Sequence, residues 1–126
     1  MADLGTVVIA EETYSTIKKI KFEWTSVDGG ADAGKATKTT TKFFTGEIIR
    51  LVTIPDAVDA PTDNYGVTIT DEDGTDVLMG GGLLRDTLNT EQVLASSLGC
   101  VANDKLTLNI SAAGNAKKGT AIIYIR

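Results

Sequence analysis

Between Ile17 and Val27 the chain alternates strictly. Ile20, Phe22 and Trp24 take every second place, and Lys19, Lys21 and Glu23 fill the places between. Side chains two apart share one face of an extended strand, so this segment has one face to bury and one to wet. A helix cannot use that pattern, because residues two apart lie on nearly opposite sides of it. The same signature returns at Tyr65, Val67 and Ile69, again at Leu106, Leu108 and Ile110, and again over Thr120–Ile125. The 18 threonines suit pleated, half-wet surfaces, and the 13 glycines fall between apolar segments as turn markers. These features predict an all-β fold, a single-domain antiparallel β-sandwich of about seven to nine strands.

The punctuation fills in the plan. Asp28–Gly34 reads as a hairpin loop between Ile17–Val27 and a returning strand over Lys35–Phe44, whose polar faces mark an edge. Gly46 breaks the chain, and Glu47–Ile54 is a strand buried on both sides that ends at Pro55. Asp71-Glu72-Asp73-Gly74 is a turn with Asp76–Met79 as its return strand. Leu83–Leu98 is an irregular crossover with one helical turn, and Ser111–Gly119 is a loop of the hairpin type. Residues 15–126 form the sandwich. Residues 1–14 are an N-terminal extension, either an edge strand of the same sheet or an arm laid on a neighbour through Leu4, Val7, Val8 and Ile9.

Composition narrows the chemistry. The chain has 126 residues, enough for one domain, and carries 17 acids against 12 bases, a net charge of −5. An acidic chain without a long basic run is a poor partner for phosphates, so nucleic acid is not expected. No apolar run approaches the roughly 20 residues of a transmembrane helix, and Val7–Ala10 is too short for a signal peptide. Histidine is absent, which removes the Ser-His-Asp and Cys-His arrangements and histidine metal sites. No catalytic or cofactor-binding residue is expected. Cys100 sits among apolar neighbours and reads as a buried, inert thiol.

Several groups have a chemical reading beside a purely structural one. Asp71, Asp73 and Asp76 are the weak metal candidates, but their spacing is not that of an EF-hand loop and suits a tight turn. Gly80-Gly81-Gly82 lacks the Gly-Lys-Ser/Thr ending of a phosphate loop and is a flexible junction. Asp59, Asp63, Asp71 and Asp73 are the carboxylates a glycoside hydrolase would need to pair in space. Trp24 is either core or an exposed aromatic that stacks on sugar or anchors a partner. Lys18, Lys19 and Lys21 are either a solvated strand face or a contact for an acidic partner. Asn109-Ile110-Ser111 fits a glycosylation sequon but lies on a predicted strand.

Four stretches carry a family resemblance. They are Lys21-Phe22-Glu23-Trp24-Thr25-Ser26 leading into Asp28-Gly29-Gly30, Phe44-Thr45-Gly46-Glu47-Ile48, the run from Pro61 to Gly74, and Gly114-Asn115-Ala116-Lys117-Lys118-Gly119-Thr120. Together they resemble small structural proteins of tailed bacteriophages, of the capsid cement or head-decoration type. The resemblance implies a sandwich of jelly-roll type and no catalytic motif. It also implies a homotrimer bound to the major capsid protein on the outer surface of a virion assembled in the bacterial cytoplasm. The competing expectations are a glycan-binding module on the tail or head, working through Trp24 or Tyr65, and a carboxylate hydrolase.

Overall fold

The computed structural model of the chain describes residues 5–27 and 34–126. Nine strands form two antiparallel sheets: β1 (Thr6–Tyr14), β2 (Ile17–Thr25), β3 (Ala36–Thr39), β4 (Phe44–Pro55), β5 (Gly66–Thr70), β6 (Glu91–Leu94), β7 (Cys100–Asp104), β8 (Thr107–Ser111) and β9 (Lys118–Ile125). The larger sheet runs β1-β2-β9-β4-β6, and β7 pairs with the beginning of β4. The smaller sheet runs β3-β8-β5. The expected β-sandwich is therefore what the chain forms. No helix among the described residues is long and apolar enough to cross a membrane.

The alternating positions meet between the sheets. Ile20, Phe22, Leu51 and Ile123 project from the larger sheet, and Val67, Ile69, Leu108 and Ile110 from the smaller, into one apolar cluster. Each side chain buried this way contributes about 1.5–3 kcal/mol against exposure. The smaller sheet's other face is uncharged. There Thr39 and Thr107 share a hydroxyl hydrogen bond of 2.8 Å, and the Thr37 hydroxyl donates to Asn109 Oδ1 at 3.0 Å. Those polar groups satisfy one another across the strands.

The path between strands departs from the sequence reading in five places. β2 and β3 are not a hairpin. They belong to different sheets, the Val27–Lys35 bridge and the Gly34 amide donating to the Val27 carbonyl at 2.8 Å lie between them, and residues 28–33 lie outside the described ones. The strand expected over Lys35–Phe44 stops at Thr39, because the Thr40 hydroxyl turns to accept the Leu106 amide at 3.0 Å and donate to the Lys42 carbonyl at 3.0 Å. Gly46 does not break the chain but lies inside β4 at φ +142, where a Cβ would come within 2.5 Å of the Arg126 carbonyl oxygen. Asp76–Met79 is not a return strand, since Asp76 turns its carboxylate to the amides of Ile69, Leu78 and Gly80 at 3.1, 3.0 and 2.9 Å. Those local bonds compete with a ladder and leave only a single bridge to Thr70. The loop before Gly119 also crosses between sheets, from β8 to β9.

In the crossover, the helical turn falls at Ala95–Ser97 as a 3₁₀ turn, after the unexpected strand β6.

Both open flanks of the sandwich are closed. On β1, the Lys38 and Lys42 ammonium groups donate to the Val7 and Glu11 carbonyls at 3.1 and 3.3 Å. The Glu11 carboxylate accepts the Thr41 and Lys42 amides at 3.0 and 2.9 Å. Burial draws the Glu11 carboxyl upward, but the Thr41 and Lys42 bonds outweigh it and hold the group below the usual carboxylate value. On β5, the Val67 amide donates to the Gly82 carbonyl and the Arg85 amide to the Tyr65 carbonyl, both at 2.8 Å. Such devices blunt strand edges that would otherwise pair with other chains.

Candidate docking face

Cross-strand register fixes what the larger sheet presents to solvent. Phe22, Ile20 and Trp24 point inward, so Lys19, Lys21 and Glu23 point outward. One outward row reads Glu12, Lys19, Tyr124, Arg50, Leu94 across the sheet, and the next reads Ala10, Lys21, Ile122, Val52, Gln92. A third joins Val8, Glu23, Thr120 and Ile54.

Arg50 reaches this face because of a bulge. The register shifts between Ile48 and Arg50, so Ile48 and Leu51 both enter the core while Arg50, Val52 and Ile54 turn out. The Arg50 guanidinium stacks on the Tyr124 ring at 5.1 Å, and its Nε donates to Gln92 Oε1 at 2.9 Å. Lys19, Lys21 and Arg50 make no ion pair among the described residues.

Val52 and Ile122 lie at the middle of this face, yet they are only 5% and 8% exposed. They are the two buried apolar side chains, among the described residues, that stand outside the core cluster. Each points away from the core and is covered by neighbours on its own side of the sheet. The two are thus already dry, within a rim of mixed charge made by Lys19, Lys21 and Arg50 with Glu12 and Glu23. Toward the start of β1 the face deepens into a groove of about 540 Å³ between Val8, Glu23, Thr25, Ile54, Lys118 and Thr120. Val8 is 66% exposed at its rim.

The residues singled out in the sequence are scattered. Leu4 lies outside the described residues. Val7 is buried in the core and Ile9 packs half-buried against it, so of that apolar group only Val8 is displayed. Lys18 parts from Lys19 and Lys21, and its ammonium donates to the Thr45 carbonyl at 2.7 Å.

Trp24 is buried, with its ring centroid 5.6 Å from that of the equally buried Tyr65. Neither the Trp24 Nε1 nor the Tyr65 hydroxyl has a hydrogen-bond partner among the described residues. Burial pushes the Tyr65 hydroxyl up to about 12; the Thr53 side chain opposes the shift from nearby but outside hydrogen-bond geometry. The stacking surface expected of a glycan module is therefore missing at both aromatics. Trp24 cannot anchor a partner from inside the core.

The acids separate as well. Asp71 and Asp73 are joined by Asp104, with carboxylate oxygens within 4.8 Å of one another, while Asp76 is engaged in its own turn. Asp71 Oδ1 already accepts the Asp73 and Thr75 amides at 3.0 Å each, which is the work of a tight turn. Desolvation, then the nearby Glu72, push the Asp104 carboxyl above its ordinary value. Asp59 faces Lys118 at 4.0 Å, and Asp63 accepts the Thr87 amide at 3.3 Å, so these carboxylates hold separate loops.

Cys100 is exposed and not buried. It begins β7, where alternation sends Val101 into the core and turns Cys100 outward. Among the outward-facing residues, Lys19 and Lys21 were marked by alternation. Arg50 and Val52 were hidden, because an Ile-Val-Leu run does not show which residues leave the core after a bulge.

No family model matches the chain, and no curated protein matches it.

Proposed function

We propose that this chain is a non-enzymatic structural protein of a tailed-phage virion, which binds the outer surface of the capsid as an oligomer and stabilises the shell through protein–protein contacts. The observation that carries this reading is the uncovered outer face of the larger sheet. Val8 and Ile54 stand exposed beside its groove, and Lys19, Lys21 and Arg50 make no ion pair among the described residues, so this face is fit to be covered by another protein. Chain order lends support, because successive strands alternate between the two sheets, β2 to β3, β4 to β5 and β7 to β8 to β9. That weave belongs to the jelly rolls, the architecture implied by the resemblance of the sequence.

Oligomer formation, as a homotrimer, has a second support. Met79, Leu84, Leu88 and Leu94 are each at least 70% exposed within one short stretch of chain. Several copies around one symmetry axis would make weak individual contacts add, since later contacts form at high effective concentration. The test is titration of purified chain onto expanded, emptied heads of the virions proposed to carry it. Saturable, stoichiometric binding that raises the melting temperature of the heads is the expected result. No binding, or binding without a shift in melting, would remove the reading.

A further inference from the structure

We propose that β1 is an exchangeable strand: a second copy of this chain takes it up along β2, in place of that copy's own, and gives its β1 in return. The proposal stands apart from the capsid reading, because it concerns the chain alone and is tested without a shell.

Connectivity singles out β1. It forms with β2 the one pair of consecutive strands, among the described residues, that hydrogen-bond to each other. Every other link between successive strands crosses between the sheets or joins two strands that lie in turn along β4. β1 is also the first strand and the edge of its sheet, so it lifts away without breaking any strand pairing but its own with β2. Little of the core goes with it. Of its nine residues only Val7 is buried. The rest of its attachment is the ladder to β2 and the polar contacts of Val7 and Glu11 with Lys38, Thr41 and Lys42.

The slot itself selects the occupant. Nine facing pairs along β2, a pocket for Val7 and two amides for the Glu11 carboxylate suit the sequence of β1, and a second copy carries that sequence. Exchange therefore keeps the contacts of β1 and alters only the hinge. In the closed chain the hinge is strained. Tyr14 faces Ile17, which leaves a turn of Ser15 and Thr16. Ser15 is held there at φ +56, a left-handed conformation that crowds its Cβ and that such turns ordinarily give to glycine. When the hinge straightens, Ser15 takes the extended backbone that any residue adopts. The ladder then continues without a shift, Ser15 of one copy facing Thr16 of the other. Short hinges under strain favour this outcome. Association costs the freedom of two molecules, so exchange grows as copies are crowded together.

The experiment uses the full chain. In Thr13→Cys/Lys18→Cys/Cys100→Ser the two new thiols face each other across β1 and β2, and the native exposed thiol is removed. The protein is annealed just below its melting temperature at concentrations from about 1 μM to about 1 mM, oxidised, and run on a denaturing gel without reductant. A disulfide within one chain marks the closed strand, and a covalent dimer marks the exchanged one. The dimer is expected to predominate at the highest concentration. Ser15→Gly relaxes the turn and is expected to lower the association constant about tenfold, whereas Ser15→Pro forbids positive φ and is expected to raise it at least as much. Should the cysteine variant fail to fold, the two Ser15 variants decide through their mass in solution. Disulfides that stay within the chain at every concentration overturn the proposal, and so do Ser15 variants that associate like the wild type. A dimer by mass with disulfides only within each chain overturns it too, since that is contact without exchange. Failure to bind emptied heads removes the capsid reading and leaves the exchange standing.

Discussion

Single side chains set the tolerances of this fold. Gly119 lies opposite Trp24 in the register, and a Cβ built on it would come within 2.5 Å of the indole Cζ2. The indole is a rigid ring closed in by the core, so it cannot yield as a flexible chain would. Gly119→Ala is expected to cost about 2 kcal/mol, read as a lower denaturant midpoint with an unchanged slope. Asp104 predicts the opposite sign. Its carboxyl is held above the ordinary value, by desolvation and then by Glu72, so the folded state holds that proton more tightly than the unfolded chain. Stability is then lost as pH rises through the unfolded value toward the folded one, and is fully restored only below both. Asp104→Asn is expected to raise the melting temperature near neutral pH and to leave it unchanged in acid below the carboxylate range. Lowered stability at neutral pH would show that the ionised carboxylate is a needed ligand of its turn. Neither effect was legible in the sequence: Gly119 looked like a loop end, and Asp104 has no acidic neighbour in sequence, meeting Asp71 and Asp73 only because β7 returns beside their turn.

At the scale of elements, strands were easier to read than their partners. β2, β5, β8 and β9 advertise themselves by alternation, since each has one face toward the core. Pairing does not follow from adjacency, because loops that looked like hairpins cross between the sheets. The Asp76 segment failed as a strand because one carboxylate captured three backbone amides. β1 shows what a single element contributes. It pairs with β2 along its whole length, places Val7 in the core, and receives Lys38 and Lys42 on its far edge. Removing residues 1–14 would expose the edge of β2, leave both lysines without those acceptors and open the core beside Trp24. The total stability of such domains is only about 5–15 kcal/mol, so the shortened chain is expected to lose its cooperative thermal transition or to aggregate. A truncated chain that melts like the full one would mean that β1 is an ornament to the sandwich.

Across the whole molecule, the two outer faces divide their duties. One is a hydroxyl and amide lattice without charge, and the other sets Lys19, Lys21 and Arg50 with Glu12 and Glu23 around the buried Val52 and Ile122. The sequence marked both sheets as half-wet but could not rank them, because the bulge that turns Arg50 and Val52 outward is a matter of register and not of composition. The closed flanks have a further consequence. Proteins packed side by side at high density risk zipping together, since an open backbone rim seeds ribbons that grow without limit. Here the rim beside Val7 and Glu11 already holds lysine ammonium groups, which crowded copies would have to displace before any such seam could begin.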